Sequence, residues 1–393
     1  IWHDLRGWDR IRAYQDRPRR GDRMATRGKH QGKQPGSRTT IERPLGGTEK
    51  IYWLLDKLYS LNFVAYAELD GELDPDDLQA ALASLQEETP LLRVRIALHD
   101  RVPVFEPVAS QEYPLLVETR SLQGWRRQIV GQLEATFASK QAPLARFLWF
   151  RGKTPKSVVA MVFHHPIADG RSGLGVLLDV LRRAVGTGPA FSYRAAWPSA
   201  QNLDLIRQQH PVKGKLKEIR FWLEKGREVL SFASQLPNYD MSPTRCRVSS
   251  SIALTIPRTR SAAILSACRA QQTSVHGALG AAQVLALNEE FGVAKPRAMA
   301  LNSLADLRDV IDGQLTDRDL GLYVSTLTTV HEIAAEPDFW QLAREVRDQL
   351  QQTIASGDAD LIHSFYPQNK FFTPDSRGAR MVQKIVALAP PSS

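Results

Sequence analysis

The chain has 393 residues, of which 43% are hydrophobic and 24% are charged. This composition is typical of a globular protein, and the length is sufficient for two lobes of ordinary domain size. The sequence contains no run of 18 or more apolar residues, which argues against a membrane span. Its two cysteines, Cys246 and Cys268, exclude a disulfide framework and match no metal-ligand spacing, so we expect a protein of the reducing cytoplasm.

The formal net charge of +9 is concentrated at the amino terminus. Residues 1–50 carry a net charge of +7, which leaves +2 for residues 51–393. We predict that residues 1–46 form a disordered basic arm, because this polar segment cannot bury enough apolar surface to offset its ordering entropy. The arm lacks the apolar core of a signal peptide. We expect it to be solvated, with no nucleic-acid partner.

Ordered structure is predicted to begin near Thr48 and to form a first lobe over residues 47–185. Helical periodicity in TEKIYWLLDKL is followed by the alternating strand NFVAYAEL. Asp74 is placed to cap a helix with Pro75 at its first position. The apolar stripe of that helix consists of Leu78, Ala81, Leu82 and Leu85. Next come the strands LLRVRIAL and VPVFEPV around a turn at 99–101, a helix over 122–137, and the adjacent strands ARFLWFRG and SVVAMVFHH.

A second lobe is predicted over residues 246–393, after a crossover over 186–245 that holds one or two helices within 212–234. Its order of elements echoes the first lobe. The predicted elements are the strand SSSIALTIP, helices over 258–271 and 275–291, the strands RAMALNSL and GLYVSTLTTVHEI, and a helix over 338–355.

Two histidines mark the segment from Ser157 to Leu181. A β-branched apolar run ends on His164 and His165, and Gly170 closes a short loop before a second apolar run with helical spacing. This pattern predicts a strand, a turn and a helix. Histidine titrates near neutral pH, so an imidazole at the end of a buried strand can accept a proton from an attacking hydroxyl or amine.

These residues allow three other interpretations. A lone histidine at a strand end is more often structural than catalytic. A Ser-His-Asp triad would use Ser172, but Gly-Arg-Ser-Gly-Leu lacks the final glycine of a nucleophile elbow. A metal held by His165 and Asp169, four residues apart, conflicts with the helix-breaking Pro166 between them, so we expect no metal.

The pattern His-His-x-x-x-Asp-Gly, formed by His164, His165, Asp169 and Gly170, resembles a known superfamily signature. The superfamily includes chloramphenicol acetyltransferase, peptide-synthetase condensation domains and polyketide-associated alcohol acyltransferases of the phthiocerol dimycocerosyl transferase type. Other stretches that resemble this family are NFVAYAELDG, DDLQAALASLQEETPLLRVRI, LNSLADLRDVI and LGLYVSTLTTV. Because the family extends several tens of residues past the point that matches ALAPPSS, we expect the end of the second lobe to be missing.

This resemblance implies an α/β (α+β) fold with two chloramphenicol-acetyltransferase-like lobes, each a mixed sheet with flanking helices, and a tunnel between them. It makes His165 the general base and His164 a structural residue. Asp169 is expected to pair with Arg308 and to shape the loop. Gly170 is expected to keep the approach to the imidazole free of a side chain.

The resemblance also implies an acyltransferase that moves an acyl group from a coenzyme A or carrier-protein thioester to an alcohol hydroxyl, without a covalent acyl-enzyme. Ser325 and Thr326 are candidates for binding the oxyanion or the substrate, although ordinary strand polarity also explains them. We expect no permanently bound cofactor and a cytoplasmic monomer. The alternatives are an amide-forming condensation enzyme of the peptide-synthetase type and a non-catalytic docking module with the same fold.

Overall fold

The computed structural model describes residues 41–57, 61–138, 140–187, 220, 223, 251–290, 297–308, 315–334 and 336–355. Most of the predicted basic arm, over residues 1–40, lies outside these ranges. So do the predicted crossover helices within 212–234, apart from residues 220 and 223, which are helical. The end of the predicted second lobe, beyond residue 355, is also outside them.

Two groups of secondary-structure elements make up the described fold. The amino-terminal group consists of β1 (Arg43–Pro44), α1 (Gly47–Leu55), β2 (Phe63–Asp70), α2 (Pro75–Glu88), β3 (Val94–His99), β4 (Val102–Pro107), β5 (Val117–Ser121), α3 (Trp125–Glu134), β6 (Ala145–Arg151), β7 (Lys156–Phe163) and α4 (Gly170–Ala184). The second group consists of α5 (Arg258–Ala270), α6 (Val275–Glu290), β8 (Arg297–Asp306), β9 (Val324–Ile333) and α7 (Phe339–Ala355). Short 3-10 turns cover Pro90–Arg93 and His165–Ile167.

The main sheet of the amino-terminal group has the strand order β2-β7-β6-β5. β7 pairs antiparallel with both β2 and β6, whereas β5 pairs parallel with β6. Seven of the eight residues of β7 are buried, all except Lys156. A strand covered on both faces is predominantly apolar, which explains the run from Val158 to Phe163.

The helix α2 forms where the sequence predicts it. The Asp74 carboxylate accepts hydrogen bonds from the backbone N–H groups of Asp76 at 2.8 Å and Asp77 at 3.1 Å, and Pro75 occupies the first turn. The predicted apolar stripe, Leu78, Ala81, Leu82 and Leu85, is buried. Removing this stripe from water holds α2 against the first-lobe core.

The second group packs its helices on a two-stranded antiparallel sheet, β8-β9. Its core contains Ala281 and Val284 of α6, Leu301 of β8 and Val346 of α7. The mixed α/β architecture with separate cores for the two groups agrees with the predicted fold class.

Several predicted boundaries are corrected. Ordered structure is described from Ile41 rather than from Thr48, because β1 pairs with β4 and Arg43 binds the Glu49 carboxylate at 2.7 and 2.8 Å. Residues 251–257 form no strand, since no strand in the described ranges pairs with them. The helix predicted over 122–137 covers only Trp125–Glu134, and β9 begins at Val324. The edge strand β5 was not predicted.

Candidate active site

The two histidines lie where the central strand β7 ends. The backbone N–H of His164 donates to the carbonyl of Leu144 at 3.0 Å, which extends the pairing by one residue beyond Phe163. The chain then turns through a 3-10 helix over His165–Ile167, with Pro166 in its first turn. The side chains of His164 and His165 therefore differ in burial, since His164 is buried and His165 is half-buried.

The imidazole of His165 is half-buried and lies between two aromatic rings. The ring of Tyr52 is 4.3 Å away and the ring of Phe63 is 5.0 Å away, measured between centroids. Burial lowers the pKa of His165, and the nearby backbone and the charge of Asp169 offset this only in part. The ring is therefore neutral at pH 7 and can accept a proton.

His164, by contrast, is a buried structural group. Only 1% of its surface is exposed, and its ring lies 5.6 Å from that of Phe137. Its Nδ1 is 3.8 Å from Oδ2 of Asp56. Burial lowers the pKa of His164 to about 3, and the positive charges of His165 and Arg146 add to the shift. With no open route from solvent, His164 is unsuited to accept a substrate proton.

The carboxylate of Asp169 is occupied by contacts from both lobes. It accepts the backbone N–H of Ser172 at 2.8 Å, which caps α4, and Nη2 of Arg308 at 3.0 Å. Its second oxygen accepts the backbone N–H of Tyr323 at 3.0 Å. The structure thus brings Asp169 and Arg308 together, as the family resemblance implies. The carboxylate is bound in the folded loop and is not available as a second base.

Arg308 is almost completely buried, with 1% of its surface exposed. It also binds Oδ1 of Asp306 at 3.0 Å and donates from Nε to the carbonyl of Thr316 at 3.0 Å. Although burial opposes it, the negative charge of Asp169 raises the pKa of Arg308, and Asp306 contributes in the same direction. This cation therefore neutralises the only carboxylate that the motif contains.

A loop of the second lobe, residues 315–323, supports the motif. The carbonyl of Gly321 accepts the backbone N–H of Asp169 at 2.9 Å and the hydroxyl of Ser172 at 3.1 Å. Leu320 is buried in the first-lobe core. The sequence does not reveal these contacts, because residues about 150 positions apart leave no local pattern.

Gly170, Ser325 and Thr326 complete the predicted site residues. A side chain at Gly170 would meet no atom within 4 Å, so this position faces open space. Ser325 is buried, and its hydroxyl has no hydrogen-bond partner among the described residues. Thr326 is half-buried, and consecutive residues of a strand point to opposite faces. Ser325 and Thr326 therefore cannot bind one oxyanion from the same face of β9.

The interpretation of Ser172 as a nucleophile finds no support in this geometry. The hydroxyl of Ser172 is completely buried and is bound to Asp169 and Gly321, so it is not a free nucleophile. The described ranges contain no group of three or more side chains that could hold a metal ion.

Within the same ranges, no helix is both long enough and apolar enough to cross a membrane.

Comparison with known proteins places this site in a family. The sequence profile named Condensation domain matches residues 52–363, which include the whole motif and Arg308. Chondramide synthase cmdD from Chondromyces crocatus is 28% identical over 202 residues, which are 46% of this chain but only 5% of that protein. The chain therefore spans a small part of this curated relative.

Solved structures show the same fold. Polyketide synthase associated protein 5 from Mycobacterium tuberculosis has a TM-score of 0.63 at 17% identity, over 83% of this chain and 76% of that chain. The first condensation domain of the CDA synthetase has a TM-score of 0.62 at 15% identity, covering 81% and 76%. The SgcC5 protein from Streptomyces globisporus has a TM-score of 0.59 at 15% identity, covering 83% and 76%. These matches confirm the predicted two-lobed fold class.

Proposed function

Because the chain belongs to the Condensation domain family, a group of acyl-transferring and condensing proteins, we propose that it transfers an acyl group from a thioester to an alcohol, with His165 as the general base. The observation that carries this proposal is the half-buried imidazole of His165, which stays neutral at pH 7 beside a carboxylate that is already bound. The donor is acyl coenzyme A or an acyl carrier protein, and both present the same phosphopantetheine thioester.

The proposed reaction is a direct transfer in one site. Since Nδ1 of His165 is buried, Nε2 is the nitrogen that takes the proton from the acceptor hydroxyl. The oxygen attacks the thioester carbonyl carbon, and a new C–O bond forms as the C–S bond breaks. The thiolate leaves and takes the proton from the imidazolium. The products are an ester and a free thiol, and no side chain becomes acylated.

An alcohol acceptor is preferred over an amine for one reason. The SgcC5 protein, one of the structural neighbours, was solved in complex with a 1,2-ethanediol derivative. A neutral imidazole is a suitable base for a hydroxyl group, whose proton must be removed as it attacks. An amine also loses a proton on amide formation, so the same site is compatible with peptide-type condensation. Condensation domains of the CDA synthetase and of the Monacolin K polyketide synthase MokA are among the structural neighbours.

The test uses matched acceptors. The purified chain is incubated with short-chain and long-chain acyl coenzyme A and with acyl carrier protein, each with 2-phenylethanol or 2-phenylethylamine, and products are identified by mass spectrometry. Ester formation that His165→Ala abolishes supports the proposal. His276→Ala is the control, because His276 is an exposed histidine that binds Ser303 at 2.8 Å in the second lobe. Amide formation alone would favour the condensation alternative.

A non-catalytic docking module is the remaining alternative. Wild-type protein that binds an acyl carrier protein but forms no product from any donor would favour it. An intact base at the end of β7 argues against this role, because a docking module has no chemical need for a neutral, half-exposed imidazole.

A further inference from the structure

The imidazole of His165 lacks the orienting partner that a catalytic histidine often has. In a Ser-His-Asp triad a carboxylate binds Nδ1 and fixes the ring. Here no carboxylate binds Nδ1, because the carboxylate of Asp169 is bound by Ser172, Arg308 and Tyr323. The backbone of His165 and Ala168 interacts with the ring, and packing must supply the rest of its orientation.

Two aromatic side chains supply this packing. Tyr52 reaches the imidazole from α1, with ring centroids 4.3 Å apart and planes inclined by 38°. Phe63 reaches it from β2, with centroids 5.0 Å apart and planes inclined by 59°. The Phe63 distance is within the range of about 4.5–7 Å for favourable contacts between aromatic rings, and the Tyr52 ring lies slightly closer than this range. The two contacts come from different elements, so they restrict rotation of the imidazole more than either contact alone.

The surrounding residues hold these rings in place. Every residue of α1 except Tyr52 is buried, so this helix is anchored while the Tyr52 ring lies beside the half-exposed imidazole. Phe63 stacks on Phe163 with centroids 5.2 Å apart. A Cβ atom at Gly173 would lie 2.7 Å from the Phe63 ring, so glycine at this position leaves room for Phe63 under α4.

We propose that Tyr52, together with Phe63, is a positioning residue that holds the His165 imidazole in its reactive orientation and limits the access of water to it. This inference rests on the proposed function for its kinetic consequences. It assigns a role to α1, a helix that carries none of the motif residues. Tyr52 does not take or give a proton in this scheme.

The charged and titratable groups around His165 set the sign of the expected pH effect. They are His164 next to it in the chain, the Asp169 carboxylate with its partner Arg308, and the Tyr52 phenol on α1. Burial is the largest cause of the lowered pKa of His165. Removing the Tyr52 ring admits water, so the pKa of His165 should rise toward its ordinary value of 6.5.

The test compares Tyr52→Leu with Tyr52→Phe. In Tyr52→Leu we expect kcat to fall about tenfold with little change in KM, because a misplaced base slows the chemical step more than binding. The acid limb of the pH–rate profile of Tyr52→Leu should move to higher pH. Tyr52→Phe keeps the ring and should recover most of the lost kcat. Tyr66→Leu is the control, because Tyr66 is 46% exposed and contacts Trp125 instead of the motif.

A second measurement does not depend on turnover. Histidine titration by NMR on protein labelled at the histidine nitrogens, with the His165 signals assigned from His165→Ala, gives the pKa of His165 directly. We expect a value below 6.5 in the wild type and an upward shift in Tyr52→Leu. An ordinary wild-type value, or no shift in a folded Tyr52→Leu, would overturn the inference even if the protein proved to have no transferase activity. Equal losses of kcat in Tyr52→Phe and Tyr52→Leu would also overturn it, because the hydroxyl and not the ring would then matter.

Discussion

Arg308 and Asp169 lie 139 positions apart in the chain, yet Nη2 of the arginine is 3.0 Å from the Asp169 carboxylate. At most 2% of either side chain is exposed. Two charges taken out of water gain little net stability from each other, but each needs its partner. This pair therefore joins the loop after β7 to the second lobe, and its loss should disturb the position of His165.

Asp169→Asn tests the structural role of this pair. The substitution leaves the buried Arg308 cation with the partly exposed Asp306 carboxylate as its remaining charged partner, so we expect the free energy of unfolding to fall by about 3 kcal/mol, the low end for a broken buried pair. Urea denaturation monitored by circular dichroism measures the change. Glu68→Gln is the matched control, because it removes one partner of the exposed ion pair with Arg126 and should have little effect. Equal stability of the two variants would contradict a buried, structural Asp169.

Gly175 of α4 and Asp317 of the supporting loop provide a second test of contact between the lobes. A Cβ atom at Gly175 would overlap the backbone carbonyl of Asp317, which cannot move as a side chain can. We expect Gly175→Ala to cost about 1–3 kcal/mol of stability, as overpacking does elsewhere, and to lower activity by displacing the loop.

Gly131→Ala in α3 is the control for Gly175→Ala. Apart from the adjacent backbone of α3, no atom lies within 4 Å of the added methyl group at Gly131, so the substitution should be neutral or should stabilise the helix by roughly 0.5–1 kcal/mol. Thermal denaturation of the two variants separates steric overlap from helix propensity. A stable Gly175→Ala variant would show that the loop does not press on α4.

The sequence predicts elements whose causes are local. Asp74 and Pro75 predict the start of α2, because capping and the fixed φ of proline act within one turn. The apolar run before His164 predicts β7 for a similar reason. β5 was missed because it is an edge strand, with the charged residues Glu118 and Arg120 in place of an apolar pattern.

The parts of the site that the sequence does not predict depend on distant contacts. The resemblance to known acyltransferases identifies His165, Asp169 and Arg308 from short motifs. Nothing near Tyr52 or Gly321 in the sequence indicates that one contacts the imidazole and the other accepts the Asp169 N–H. Such contacts are fixed only when α1 and the loop over 315–323 dock on the end of β7.

Stability should depend on pH through His164. Its pKa is about 3 in the folded protein and about 6.5 in the unfolded chain, so the unfolded state binds a proton first as the pH falls. The contribution of neutral His164 to the free energy of unfolding is therefore fully present above pH 6.5 and is lost progressively between pH 6.5 and 3. His164→Phe should flatten this dependence, and urea denaturation at several pH values measures it. His99→Asn, at an exposed histidine, should leave the dependence unchanged.

The His165 imidazole should stay in its neutral, active form to lower pH than an ordinary histidine does, and the rate of acyl transfer should follow. Burial lowers the pKa of His165 below 6.5, so kcat/KM should rise with pH through a midpoint below 6.5 and stay constant around neutrality. The initial rate of ester formation, measured from pH 4.5 to 8 with a pH-stable donor, gives this profile. His276→Ala should reproduce the wild-type curve, because that histidine is bound to Ser303 in the second lobe. A midpoint above 6.5 would mean that the reacting base is in a more solvated or more negatively charged environment than that of His165, and a different residue would then have to carry the proton.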